Sequence, residues 1–112
     1  MNAYILSLKD PAHPEQVIQL DLLLLKKTSI LLRALNHKLR QQMMRLIDEK
    51  GKVTVTELYI HLRVEQSVAS QHLAILRKAG FVTTNREGKF IYYSINTERI
   101  KALTQCMDSL LK

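Results

Sequence analysis

Between Gln66 and Gly80 the chain reads Gln-Ser-Val-Ala-Ser-Gln-His-Leu-Ala-Ile-Leu-Arg-Lys-Ala-Gly, and this stretch restricts the fold more than any other. At about 100° per residue, Gln66, Ser67, Ser70, Gln71, Ala74, Arg77 and Lys78 fall on one arc of a helix. Val68, Ala69, His72, Ile75, Leu76 and Ala79 fall on the other, with Leu73 at its margin, and Gly80 supplies the stop. A solvated helix face is ordinarily crowded with Glu and Lys. This one carries small hydroxyls and carboxamides, which can approach base edges closely and hydrogen-bond them, and it turns basic at its far end. The pattern predicts a helix that packs with one side and reads DNA with the other, and an ordinary amphipathic helix is the plainer alternative.

A chain of 112 residues makes one domain, and so small a domain leaves apolar surface that a partner can cover. Seventeen Lys and Arg against ten Asp and Glu give a net charge of +7. Residues 1–25 hold one Lys and three acids, whereas residues 26–112 hold sixteen bases and seven acids, so the excess lies with the candidate reading helix. Such a charge points to a polyanion, either nucleic acid or an anionic membrane surface. The apolar run Leu22–Leu25 is far short of the roughly 20 residues that a membrane span needs, so no membrane partner is expected. One cysteine, Cys106, excludes an internal disulfide. The Met1 end lacks the basic stretch and apolar run of a secretory leader, and the expected location is cytoplasmic.

Along the chain, Pro11 and Pro14 argue against a helix, and residues 1–14 are expected to form a loose or extended N-terminal arm. Residues 15–112 are expected to form one domain. A helix is predicted from about Glu15 to Asn36, apolar on nearly every side, which a second copy of the chain would cover. A second helix, His37 to Lys50, places Leu39, Met43, Leu46 and Ile47 in phase and stops at Gly51, with Arg40 and Arg45 left to solvent or phosphate. Thr54-Val-Thr-Glu57 reads as a capping box opening a short helix with Val55, Leu58 and Leu62 buried. The turn Arg63-Val64-Glu65 leads from there into the opening stretch, which makes a helix-turn-helix. Phe81–Arg86 and Lys89–Ile95, with Glu87-Gly88 between them, predict a β-hairpin. Such a hairpin would be a wing whose tip, Arg86 and Lys89, can reach phosphate or a minor groove. Asn96 or Thr97 then caps a last helix with Ile100, Leu103, Met107, Leu110 and Leu111 on one stripe. The fold class is therefore mainly α with a small β-hairpin, a winged helix-turn-helix dimerising through its first and last helices.

Leu32-Arg33-Ala34-Leu35 with Arg40, Thr56-Glu57-Leu58, the block Gln66–Gly80, and Arg86-Glu87-Gly88-Lys89 with Tyr92-Tyr93 together resemble the ArsR/SmtB type of winged-helix transcriptional repressor, over roughly residues 30–96. The resemblance implies a homodimer that sets two reading helices into successive major grooves of an inverted repeat and blocks transcription from there. Many members release DNA on binding metal, but the ligand positions differ here. Tyr59 and His61 stand where the thiolate type has cysteines, and residues 97–112 contain no His, only Glu98 and Asp108. No metal and no other cofactor is expected. Arg63 stands where the family usually has Gly, and Glu65 where a capping Ser is common.

The residues expected to bind double-stranded DNA are Gln66, Ser67, Ser70 and Gln71 on bases, with Arg77, Arg86 and Lys89 on phosphates. His72 is expected on the packed side as a structural histidine. Cys106 reads as a small hydrophobe, with a redox role as the sharper alternative. Tyr92 and Tyr93 face opposite ways on a strand, so at least one should pack the wing. No catalytic constellation is present, and an enzyme is not expected. Two alternatives of other classes stay open: a redox- or ligand-sensing regulator, and a winged-helix module for protein–protein interaction.

Overall fold

The computed structural model describes residues 3–112; the two leading positions of the expected arm lie outside the described residues. In chain order the elements are β1 (Ile5–Lys9), β2 (Val17–Asp21), α1 (Leu22–Leu35), α2 (Lys38–Lys50), α3 (Val55–Leu62), α4 (Gln66–Lys78), β3 (Val82–Glu87), β4 (Phe90–Ile95) and α5 (Thr97–Leu111). They fall into two units, Met1–Arg33 and Ala34–Lys112.

The first unit departs from the sequence expectation. β1 pairs antiparallel with β2, in a register that sets Leu6 opposite Leu20 and Leu8 opposite Ile18. These four side chains share one face and are all exposed. The connecting turn is held by Asp10, whose Oδ1 accepts from the Ala12 N–H at 3.0 Å and whose carbonyl accepts from the His13 N–H at 3.1 Å. The helix expected from Glu15 begins only at Leu22. Two local forces outweigh helical phase there. Val17 and Ile18 are β-branched, and Ile18 and Leu20 alternate with Gln19, which suits a strand. Asp21 then caps α1, its Oδ1 accepting from the N–H groups of Leu23 and Leu24 at 3.0 and 3.1 Å. The described residues thus form two hairpins where one was expected.

The second unit is the winged helix-turn-helix. Its core is made by Met43, Leu46 and Ile47 of α2, Leu58 of α3, Ala69, Leu73 and Leu76 of α4, with Val53, Phe81 and Val82. His37 lies just outside α2 as its cap, with Nδ1 accepting from the Leu39 N–H at 3.2 Å. Arg40 is not solvated as expected but 8 % exposed, its Nε donating to the carbonyl of Ala34 at 2.6 Å. The capping box at α3 is present in both directions: Glu57 N–H to Thr54 Oγ1 at 3.2 Å, and Thr54 N–H to Glu57 Oε1 at 3.4 Å. Val55 and Leu62 are only half-buried, leaving Leu58 as the buried residue of α3.

Helices α3 and α4 close with the same motif built from different residues. At the end of α4 the N–H groups of Gly80 and Phe81 return to the carbonyls of Arg77 and Leu76, at 2.9 and 3.0 Å, with Gly80 at φ +83°. At the end of α3 those of Arg63 and Val64 return to Ile60 and Tyr59, at 3.3 and 3.1 Å, with Arg63 at φ +57°. Both are Schellman turns, and each needs a left-handed residue. Among the described residues Arg63 is the only non-glycine with positive φ. A left-handed conformation costs an L-residue about 1–2 kcal/mol, of which glycine's extra freedom in the unfolded chain takes back roughly half. Arg63→Gly should therefore raise the free energy of unfolding by about 0.5–1 kcal/mol, read as a higher urea midpoint at unchanged slope. A lower midpoint would mean that the Arg63 side chain contributes more than its backbone costs.

Candidate nucleic-acid interface

Helix α4 is aimed by the ridge it buries. Ala69, Leu73 and Leu76 are spaced i, i+4, i+7 and are 0, 1 and 0 % exposed. The packed face is thereby turned toward Leu73 and away from Ile75, which was expected inside and is 41 % exposed. Periodicity alone places Ile75 inside and Leu73 at the margin; the buried ridge takes Leu73 with Ala69 and Leu76 and leaves Ile75 out. The polar arc comes out as read: Gln66, Ser67, Ser70, Gln71, Ala74, Arg77 and Lys78 are all exposed. At its N-terminus Glu65 makes no side-chain cap, so the first N–H groups of α4 lack the acceptor a Ser would supply.

The wing is built onto the helix-turn-helix at three points. Val53 and Tyr93 exchange backbone hydrogen bonds at 3.0 and 2.7 Å, so Val53 acts as a one-residue third strand. Asn96 Nδ2 donates to the Gly80 carbonyl at 2.9 Å and Arg99 Nη2 to that of Ala79 at 3.1 Å, joining the exit of the wing to the last turn of α4. Lys52 Nζ reaches both carboxylate oxygens of Glu87, at 2.9 and 2.6 Å, and lies 4.6 Å from the Tyr92 ring centre. The Glu87 carboxylate accordingly raises the Lys52 pKa above its ordinary value.

The hairpin register runs from Val82 opposite Ile95 to Glu87 opposite Phe90, so the tip is Gly88-Lys89 rather than Glu87-Gly88. Gly88 takes φ +64° while Lys89 does not turn left-handed, the pattern of a two-residue turn with Gly first. Strand alternation puts Arg86 and Tyr93 on the face that continues from buried Val82, and Glu87, Phe90 and Tyr92 on the opposite face. Arg86 Nε folds back onto the Gly88 carbonyl at 3.2 Å, and Lys89 Nζ lies 5.4 Å from the Phe90 ring centre.

Between α4 and the wing lies a cleft of about 370 Å³ lined by Val55, Ser70, Ala74, Arg77, Lys78 and Tyr93. It unites two of the seven residues singled out in the sequence, Ser70 and Arg77. Gln66, Ser67 and Gln71 stand beyond it on the open surface of α4, and Arg86 and Lys89 on the wing. Sequence reasoning left Tyr93 without a place; the isolated bridge to Val53, which brings it there, has no local signature. Among the described residues Arg77, Lys78, Arg86 and Lys89 belong to no ion pair, the acids pairing instead with Lys52, Lys101 and Lys112. His61 and Cys106 are exposed, and no cluster of three His, Cys, Asp or Glu that could hold a metal occurs among the described residues. No helix there is long and apolar enough to cross a membrane.

Residues 37–84 match the family described as bacterial regulatory protein, arsR family. The chain is 32 % identical over 84 residues to the transcriptional activator HlyU of Vibrio cholerae, covering 75 % of this chain and 77 % of that one. It is similar in structure to a possible transcriptional regulator for arsenical resistance, with a TM-score of 0.65 at 30 % identity over 73 % of this chain and 84 % of the other. The transcriptional repressor PagR of Bacillus anthracis gives a TM-score of 0.61 at 28 % identity over 76 % and 97 %.

The Lys52–Glu87 pair is exposed to solvent, which screens it, so it adds little to global stability. Lys52→Ala should leave the urea midpoint of unfolding nearly unchanged while lowering the backbone order parameters of residues 86–90 measured by NMR. Unchanged order parameters would show that the backbone bridge at Val53 holds the wing without the ion pair.

Proposed function

The chain belongs to the arsR family of bacterial regulatory proteins, and on that footing we propose that it represses transcription as a homodimer seated on an inverted-repeat operator. As a member of that family it is a DNA-binding transcriptional regulator, not an enzyme. The observation that carries the finer reading is the open polar arc of α4 flanked by unpaired cations on helix and wing. In this reading Gln66, Ser67, Ser70 and Gln71 meet base edges in the major groove, and Arg77, Arg86 and Lys89 hold phosphates. A dimer bound across a promoter excludes polymerase, which makes repression the direct consequence of occupancy. The protein works in the cytoplasm and without metal, since Tyr59 and His61 replace the thiolates and α5, which has no His, offers only Glu98, Asp108 and the lone Cys106 as candidate ligands.

Residues 15–112 act in this proposal as one DNA-binding and dimerising module. Exposed apolar side chains support the dimer: Leu23, Leu24, Leu25 and Ile30 of α1, and Met107, Leu110 and Leu111 of α5, where no residue is buried. Covering these seven side chains contributes on the order of 10–20 kcal/mol, while association itself costs about 4–15 kcal/mol. Both helices together offset that cost, and in this reading both are engaged.

Gln71→Ala should weaken binding to a duplex selected from genomic fragments by about 1–3 kcal/mol while leaving random duplex unaffected. Equal loss on both would place Gln71 outside base recognition. Met107→Asp should convert a dimer into monomers at about micromolar concentration in sedimentation equilibrium, since a carboxylate buried at the interface costs several kcal/mol. A dimer that tolerates the substitution would rule out α5 as interface.

A further inference from the structure

Arg40 spans two helices with one guanidinium. Besides donating from Nε to Ala34 in the last turn of α1, it reaches His72 of α4, with Nη1 and Nδ1 at 3.0 Å. A guanidinium offers only donors and keeps its charge throughout the accessible pH range. Nδ1 of His72 must therefore present its lone pair, which leaves the ring proton on Nε2. A proton added at Nδ1 removes the bond and sets an imidazolium against a guanidinium. His37 stands beside the pair with its ring centre 4.8 Å from that of His72, its own Nδ1 occupied by the Leu39 N–H. Burial first, then His37 and Arg40, lower the His72 pKa below the ordinary histidine value.

On α4, His72 projects away from Ser70, Ala74 and Arg77, so its bond restrains the helix from the side opposite the cleft. We propose that the Arg40–His72 hydrogen bond is a latch that holds the reading helix in register, with His72 as the positioning residue, and that protonating His72 opens it. The proposal rests on the DNA-reading role of α4 given above. The native state favours neutral His72, so the latch is complete above the ordinary histidine pKa of about 6.5. It is lost as the pH falls through the lowered folded value. Loss of register weakens binding to the preferred sequence, whereas added positive charge strengthens binding to any duplex. The ratio of the two affinities isolates the latch from the charge.

The test measures that ratio, for a duplex selected from genomic fragments against a random one, between about pH 8 and about pH 5. It compares the wild type with His72→Asn, whose Oδ1 stands where Nδ1 does and takes up no proton. The wild-type ratio should drop about tenfold, the effect of one lost hydrogen bond to a charged group, while that of His72→Asn stays level. A drop of equal size in both, or none in either, overturns the latch. A wild type that prefers no duplex at any pH overturns the DNA-reading role itself and the latch with it. Nitrogen-15 NMR of the wild-type imidazoles gives a reading that needs neither DNA nor a folded variant. The Nε2–H tautomer of His72 at about pH 8 is expected, and a proton on Nδ1 overturns the proposal.

Discussion

Burial of one ridge, Ala69, Leu73 and Leu76, in the core that α2, α3 and β3 share with α4 decides where every other side chain of α4 points. A helix offers no freedom to aim residues singly: once three positions are locked in a close-packed core, the remaining ones follow at fixed angles. Gln66, Ser67, Ser70 and Gln71 are exposed because Leu73 is not. Their chemistry, short and polar without net charge, suits close approach to base edges in a way that long solvated chains do not.

The same economy governs the far end of the helix. The carbonyls of Ala79 and Gly80 would end in solvent or in an unsatisfied pocket were they not bonded by Arg99 and Asn96. Those two residues open α5, so one set of hydrogen bonds finishes α4, anchors the wing as it returns, and starts the last helix. Gly80 serves this junction twice over. Its φ of +83° closes the Schellman turn, and a Cβ there would stand 3.2 Å from Arg99 Nε. Wing, reading helix and α5 are thereby tied at one corner, while Val53 and Lys52 fasten the strands nearer the tip.

Membership of the arsR family agrees with a reading built from residues, and the departures from the family pattern have physical expressions. Arg63 adopts the left-handed turn where glycine would be unstrained. Glu65 leaves the start of α4 without a side-chain cap. The apolar surfaces of α1 and α5 stay open in the single chain, which is the arrangement a symmetric partner would complete.

Local chemistry was legible in the sequence wherever it is self-contained. The capping box at Thr54 and Glu57, the glycine stops at Gly51 and Gly80, the cap at Asn96, the wing strands and the polar arc of α4 each depend on residues a few positions apart. Asp21 before its run of leucines, with the alternation in Val17-Ile18-Gln19-Leu20, carried the N-terminal hairpin in the same local code, but the apolar density from residue 17 onward masked it as helix. What the sequence could not determine is anything that needs a partner distant along the chain. Leu73 outranks Ile75 because it completes the buried ridge of Ala69 and Leu76, Tyr93 reaches the cleft because Val53 pairs with it, and Arg40 is buried with Ala34 and His72 accepting its hydrogen bonds. Tertiary packing made those choices, for a side chain's burial and protonation depend on which groups surround it, and a linear pattern records only its own neighbours.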